Sequence, residues 1–140
     1  MDIFSKKEVG WVLDKTMTTR LILDAFNMAV KTREYEPEMI LHSDQGVQYR
    51  VRDYALALYD ENITLGMSRK GNCWDNAAME SFFLRLKVEE VFAYLYEYLG
   101  EVYSSVFEFI ELFYSPIRRH SANEQVSLLV FENMYNVMCA

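Results

Sequence analysis

The spacing of hydrophobic residues changes along the chain between patterns typical of strands and patterns typical of helices. Residues 7–13 place Val9, Trp11 and Leu13 at alternate positions, a spacing typical of a half-buried strand. The apolar residues that follow have helical spacing, and predicted strands and helices then continue to alternate along the chain. The predicted elements are a strand at 7–13, a helix starting at Thr18 or Thr19, a strand at 39–43, a helix at 51–61, a strand at 63–67, a helix from Asp75 or Asn76 to about Val91, and a helix at 101–114.

This order of elements, together with two prolines, indicates the fold class. Pro37 is expected to end the first helical region and Pro116 follows the last predicted helix, because the residue before a proline disfavours helix. Strands that alternate with helices indicate an α/β domain. The strand at 39–43 delivers Asp44 at its carboxyl end, where open α/β sheets usually carry their ligand sites.

The composition predicts a single soluble domain. One core is expected for 140 residues of which 51% are hydrophobic and 15% aromatic. No run approaches the roughly 18 apolar residues of a membrane span, and the first residues are too polar for a secretory signal. Cys73 and Cys139 lie far apart, which predicts reduced thiols in a cytoplasmic protein; with only His42 and His120 they build no zinc site.

The net charge of −7 argues against tight, autonomous DNA binding. Proteins that neutralise phosphates usually carry excess basic charge, whereas 21 acidic residues outnumber 14 basic ones here. The acidic residues concentrate at 34–38 and 89–111. A local basic surface is nevertheless expected from a set of later cationic residues, namely Arg69, Lys70, Arg85, Lys87, Arg118 and Arg119.

Two carboxylates are the candidates for chemistry. Asp44 follows a predicted strand, and Glu80 lies on the first turns of a predicted helix. Brought together, they would suit hard divalent cations, which prefer oxygen ligands.

The segments around both carboxylates resemble the transposases of the IS3 family of bacterial insertion sequences, which carry a DDE integrase core. The resemblance covers nearly the whole chain and implies an RNase H-like fold. The segments that carry it are Asp2-Ile3-Phe4-Ser5-Lys6, Val9-Gly10-Trp11, His42-Ser43-Asp44-Gln45-Gly46-Val47-Gln48-Tyr49, Met67-Ser68-Arg69-Lys70-Gly71-Asn72-Cys73-Trp74-Asp75-Asn76, Glu80-Ser81-Phe82-Phe83, Leu86-Lys87, Phe113-Tyr114 and Arg118-Arg119-His120-Ser121-Ala122.

The resemblance implies metal-dependent phosphoryl transfer on DNA during transposition. Asp44 and Glu80 would each hold one of two Mg²⁺ or Mn²⁺ ions about 4 Å apart, bridged by a further aspartate. Water would be the nucleophile for strand nicking and a DNA 3′-hydroxyl for joining. The implied DNA contacts are Lys87, Arg69, Lys70, Gln45, Trp74, Arg118 and Arg119. Each has an alternative: a solvated cation for the basic residues, a structural role for Gln45 and a buried ring for Trp74.

The family's first catalytic aspartate lies on an opening strand upstream of these residues. Asp2 is not expected to replace it, because it occupies a later turn of the family pattern. We therefore expect an N-terminally truncated core at 1–91, lacking the first strand and the helix–turn–helix region, with 92–140 as a C-terminal helical extension of the same domain. Such a fragment is expected to be inactive alone. It is also expected to be aggregation-prone, because the strands at 7–13 and 39–43 lose a backbone partner.

Two departures from the family pattern keep a second function open. Residues 91–114 are unusually aromatic, and Gln125-Val126-Ser127-Leu128-Leu129 lacks the proline that would start a last short helix. The alternative function is a non-catalytic interaction module that associates with or inhibits an intact transposase. The predicted partners are thus DNA, a second copy or an intact transposase, and no membrane.

Overall fold

The computed structural model describes residues 1–36, 38–67 and 77–139, with side chains as far as residue 136. They form two compact units, each considered by itself. The sheet unit is Val9–Ala77, and the helical unit combines Met1–Glu8 with Ala78–Ala140. The predicted division after residue 91 stays a prediction.

Helices and strands mix in the order expected for the α/β class. The elements are α1 (Thr19–Thr32), β1 (Ile40–Ser43), a 3₁₀ turn (Val47–Arg50), α2 (Arg52–Asp60), β2 (Thr64–Met67), α3 (Ala77–Leu86), a π-helical turn (Lys87–Val91), α4 (Leu99–Phe107), a second π-helical stretch (Glu108–Tyr114), a 3₁₀ turn (Ser121–Asn123) and α5 (Leu128–Cys139). No helix in the described ranges is long and apolar enough to cross a membrane.

In the sheet unit, β1 and β2 run parallel. Ile40 lies opposite Thr64, and Ser43 lies opposite Met67. The connection between the strands contains α2, as parallel strands require a crossover. Among the described residues β1 pairs with β2 on one edge only, and the predicted loss of a partner on its other edge stays a prediction.

The core of the sheet unit forms where α1 and α2 cover the strands. Its buried residues are Phe26, Tyr54, Leu58 and Ile63. The rings of Phe26 and Tyr54 meet edge to face with centroids 6.1 Å apart. Burial raises the pKa of Tyr54 to about 12, so its phenol stays neutral. α1 starts as predicted, because Thr18 Oγ1 accepts a hydrogen bond from the backbone N–H of Leu21 at 3.3 Å.

The strand predicted at 7–13 is wrong: none of these residues is in a strand. The segment instead runs against the backbone of α1. A side chain at Gly10 would place its Cβ 2.2 Å from the carbonyl oxygen of Ala25. The hydroxyl of Thr32 donates to the carbonyl of Val9 at 3.0 Å. Alternating apolar residues make a strand only where another strand offers a ladder, and here a helix occupies that side.

The helical unit has its own core. Its buried apolar residues are Phe82, Leu86, Val106, Phe109, Ile110, Tyr114, Leu128 and Phe131. Phe82 and Tyr114 meet edge to face at 5.2 Å. The helix predicted from about 101 to 114 is confirmed, in two parts, as α4 and the π-helical stretch. α5 forms without the proline, because Ser127 Oγ accepts the N–H of Val130 at 3.4 Å.

Residues 1–8 belong to the helical unit and pack on its C-terminal part. The ring of Phe4 lies 5.2 Å from Phe131, and Lys7 Nζ lies 2.9 Å from a carboxylate oxygen of Glu132. The buried side-chain amide of Asn123 donates to the carbonyl of Ser5 at 2.7 Å. Side chains distant in sequence therefore contact the Lys7 ammonium and the carbonyl of Ser5.

Candidate metal and DNA site

Asp44 stands at the carboxyl end of β1, as predicted. Its side chain is exposed, and its Oδ1 accepts the backbone N–H of Gly46 at 2.8 Å. A Cβ on Gly46 would lie 2.9 Å from that same oxygen, so a larger residue would crowd the carboxylate. The chain thus fixes the direction of one carboxylate oxygen at the strand end.

The Asp44 carboxylate interacts electrostatically with the phenol of Tyr49, a residue that we did not predict as part of the site. Burial first, and the nearby Asp44 carboxylate second, raise the pKa of the Tyr49 phenol. The N–H of Tyr49 also donates to the carbonyl of Gly46 at 3.1 Å. Tyr49 is therefore a neutral phenol held beside the aspartate. The sequence signal was its place in the same motif, five residues after Asp44.

Gln45 is exposed directly beside Asp44. Gln45 also takes part in an interaction within the protein. His42, two residues before Asp44, is exposed as well.

Glu80 belongs to the helical unit and lies in the first turn of α3. Glu80, Leu84 and Lys87 are all exposed, whereas Phe82 and Leu86 are buried. The helical spacing therefore leaves Glu80, Leu84 and Lys87 on the solvent side of one helical run. A phosphate contact by Lys87 stays a prediction.

Arg118 is engaged inside the helical unit. Its guanidinium forms an ion pair with Glu89 and lies 5.5 Å from the centroid of the Tyr114 ring. Its hydrogen bond to Glu89 raises the pKa of Arg118, and the same bond lowers the pKa of Glu89. Arg119 is exposed and forms an isolated antiparallel bridge with Ser127. Of the two arginines, only Arg119 presents its side chain largely to solvent.

Three predicted DNA contacts, Arg69, Lys70 and Trp74, lie outside the described residues. Asp75 and Asn76, the predicted caps of α3, lie outside them as well, as does Pro37.

Asp44 in the sheet unit and Glu80 in the helical unit each carry a carboxylate, the donor type that hard divalent cations prefer. Among the described residues, no three His, Cys, Asp or Glu side chains come together to hold a metal. In proteins, Mg²⁺ keeps several waters and usually binds through one or two carboxylates plus substrate phosphates.

Comparison with known proteins gives a family match. Residues 1–73 match the integrase core domain, just over half of the chain and including Asp44. The chain is 37% identical over 139 residues to the insertion element IS600 uncharacterized 31 kDa protein of Shigella sonnei, covering 99% of this chain and 51% of that protein.

Two further relatives are transposases by name. The transposase for insertion sequence element IS904 of Lactococcus lactis subsp. lactis strain IL1403 is 38% identical over 136 residues, covering 97% of this chain and 53% of that protein. Transposase InsF for insertion sequence IS3A of Escherichia coli strain K12 is 38% identical over 133 residues, covering 95% of this chain and 46% of that protein. The chain spans about half the length of the curated relatives it matches. With the family model and these alignments in agreement, the chain belongs to the integrase core domain family, among the transposases of IS3-type insertion sequences.

Proposed function

We propose that the chain is part of a transposase core that cuts and joins DNA by metal-dependent phosphoryl transfer. The observation that carries this proposal is the strand-end position of Asp44, whose carboxylate is held by the N–H of Gly46. Membership of the integrase core family supports an RNase H-like fold for the complete domain.

In this proposal, Asp44 and Glu80 each hold one divalent cation. When bound, the cations stabilise negative charge on the attacking and leaving oxygens of an in-line displacement. Lys87, two turns after Glu80, would contact a phosphate of the DNA strand. Tyr49 stays protonated and keeps the neighbourhood of Asp44 free of a second negative charge.

The 140 residues supply two of the three carboxylates of the family's site. The free edge of β1 is where we expect the strand with the first aspartate to add, because among the described residues β1 pairs only with β2. We therefore propose that these residues alone do not catalyse strand transfer.

The test uses a DNA end and Mn²⁺. The 140 residues would be assayed alone and joined to the upstream segment of the IS904 relative. Cleavage is expected only for the joined protein, and Asp44→Asn or Glu80→Gln should abolish it. Glu36→Gln, an exposed carboxylate in the sheet unit, is the matched control and should leave cleavage unchanged. Undiminished cleavage by Glu80→Gln would refute the proposal.

A specific observation favours the interaction module as a second function. The segment 89–111 contains six of the 21 acidic residues and none of the 14 basic ones, so the rest of the chain holds 15 acidic and 14 basic residues. It also exposes large apolar side chains: Leu95 fully and Phe92 at 74%. Exposed apolar groups mark protein-binding surfaces, and the acidic charge disfavours DNA there.

Association with an intact IS904-type transposase tests this second function. Co-purification of the two proteins is expected, and Phe92→Ser with Leu95→Ser should abolish it. The control is Ile40→Ser, a large apolar residue of the sheet unit that is 67% exposed. If the control abolishes co-purification to the same extent, the association is nonspecific.

A further inference from the structure

A groove of about 450 Å³ opens on the sheet unit and shares Tyr49 with the candidate metal site. It is lined by Tyr49, Arg50, Val51, Arg52, Ala55, Leu65 and Met67. Its volume lies in the range of small-molecule sites.

The groove borders the strand end that carries Asp44. Met67, at its rim, pairs in register with Ser43, the residue immediately before Asp44. Tyr49, which also lines the groove, donates its backbone N–H to the carbonyl of Gly46, and the Asp44 carboxylate helps to raise the pKa of its phenol. A ligand in the groove would therefore lie beside the candidate metal ligand.

The lining combines an apolar floor with two cations. Val51, Ala55, Leu65 and Met67 supply the floor, and the exposed side chains of Arg50 and Arg52 supply the charge. Within the described part of the chain, neither arginine forms an ion pair with a carboxylate. Both are available to an anion from solution.

The start of α2 adds hydrogen-bond donors at the same place. The helix begins at Arg52, and its N-cap, Val51, offers no side-chain acceptor for the N–H groups of the first turn. Such a helix start favours anions, and phosphates are commonly bound there. Asp53 in the first turn reduces the positive charge, but the two arginines outnumber it.

We propose that this groove binds one nucleotide of a single DNA strand. The phosphate lies at Arg50, Arg52 and the start of α2, and the base lies on the apolar floor. A single strand fits better than a duplex, because only an unstacked base can present its face to the floor. The inference deepens the proposed transposase function by naming the substrate feature held next to Asp44.

The test measures binding of fluorescein-labelled oligothymidylate, twelve nucleotides long, to the 140-residue chain by fluorescence anisotropy. EDTA is present, so catalysis and metal binding play no part. Arg50→Gln and Arg52→Gln should each weaken binding about fivefold at low salt and reduce the salt slope by about 0.7. Met67→Ser should weaken binding about threefold without changing the salt slope, because it removes base contact only.

Arg20→Gln is the matched control, since Arg20 has the same charge, lies in the same unit and is 89% exposed away from the groove. It should bind like the unmodified chain. Circular dichroism confirms that each variant keeps its helix content.

Three results would overturn the proposed nucleotide binding. The first is no binding of the oligonucleotide by the unmodified chain, and the second is an equal loss of affinity in Arg20→Gln. The third is that duplex DNA binds as tightly as the single strand and is insensitive to Met67→Ser. If the 140-residue chain binds the single strand as expected but the joined protein does not cleave DNA, the result would count against the proposed function alone.

Discussion

The hydroxyl of Ser115 donates a hydrogen bond to the carboxylate of Glu8 across 3.3 Å and 107 positions of sequence. Both side chains are buried in the helical unit, and the second carboxylate oxygen of Glu8 has no partner among the described residues. Burial is the main reason that the pKa of Glu8 is raised to about 7. The chain's own amino group and Ser115 oppose that rise, and Glu111 adds to it.

Glu8 should make stability depend on pH. Its folded pKa of about 7 lies above the ordinary value of 4.5, so the native state binds the proton more tightly than the unfolded state. Stability is then fully present below pH 4.5 and falls as pH rises towards 7, by about 3 kcal/mol in total. Glu8→Gln should remove this fall and be the more stable protein at pH 8. Urea unfolding at pH 4 and pH 8 measures the difference.

Burial lowers the pKa of His120 below its ordinary value, so this residue also contributes to the pH dependence. His120 is present in both proteins, so its contribution to the change in unfolding free energy is the same in both and cancels when they are compared. Glu124→Gln, at an exposed position of the same unit, is the control. If Glu8→Gln and the unmodified chain lose equal stability between pH 4 and pH 8, Glu8 is not buried as described.

Leu58 should be essential to the core of the sheet unit. It is 2% exposed, and Leu58→Ala should cost about 2–5 kcal/mol because it leaves a cavity among Phe26, Tyr54 and Ile63. Leu56→Ala is the control on the same helix, where the side chain is 46% exposed and the cost should stay below about 1 kcal/mol. Equal losses in denaturant unfolding would show that α2 does not present this face to the core.

Gly10 should tolerate no side chain. The Cβ of Gly10→Ala would meet the carbonyl oxygen of Ala25 at 2.2 Å and the nitrogen of Ala29 at 2.8 Å, and backbone atoms cannot turn aside. We expect a loss of about 1–3 kcal/mol, as for other overpacked positions. In Gly100→Ala the new Cβ meets only the ring of Tyr98, at 3.0 Å, which can rotate away. A smaller loss for Gly10→Ala than for Gly100→Ala in thermal unfolding would contradict the contact with α1.

Arg118 should matter more for stability than for DNA. Its side chain is 20% exposed and pairs with Glu89, which is 36% exposed, so solvent screens the pair in part. Arg118→Gln should cost about 1 kcal/mol, and the cost should shrink in high salt. Arg119→Gln is the adjacent control and should be nearly neutral. A double-mutant cycle with Glu89→Gln measures the coupling, and a coupling near zero would return Arg118 to the list of candidate DNA contacts.

Local periodicity and short motifs were enough to predict most of the elements and the place of Asp44. The apolar run Met39-Ile40-Leu41 and the helical period around Glu80 depend on neighbours close in sequence, so the strand end and the helix face followed from the chain alone. The threonine cap of α1 followed for the same reason.

Pairing between distant residues needed the tertiary structure. The segment 7–13 has the alternation of a strand, yet α1 lies where a strand ladder would be needed. The burial of Glu8 against Ser115 and the pairing of Arg118 with Glu89 likewise join residues far apart in sequence. The sequence by itself determined the family, the strand end that carries Asp44 and the helix that carries Glu80. Which groups are buried, paired or open to a ligand was decided by the tertiary structure, because burial and charge pairing depend on what the rest of the chain places beside a residue.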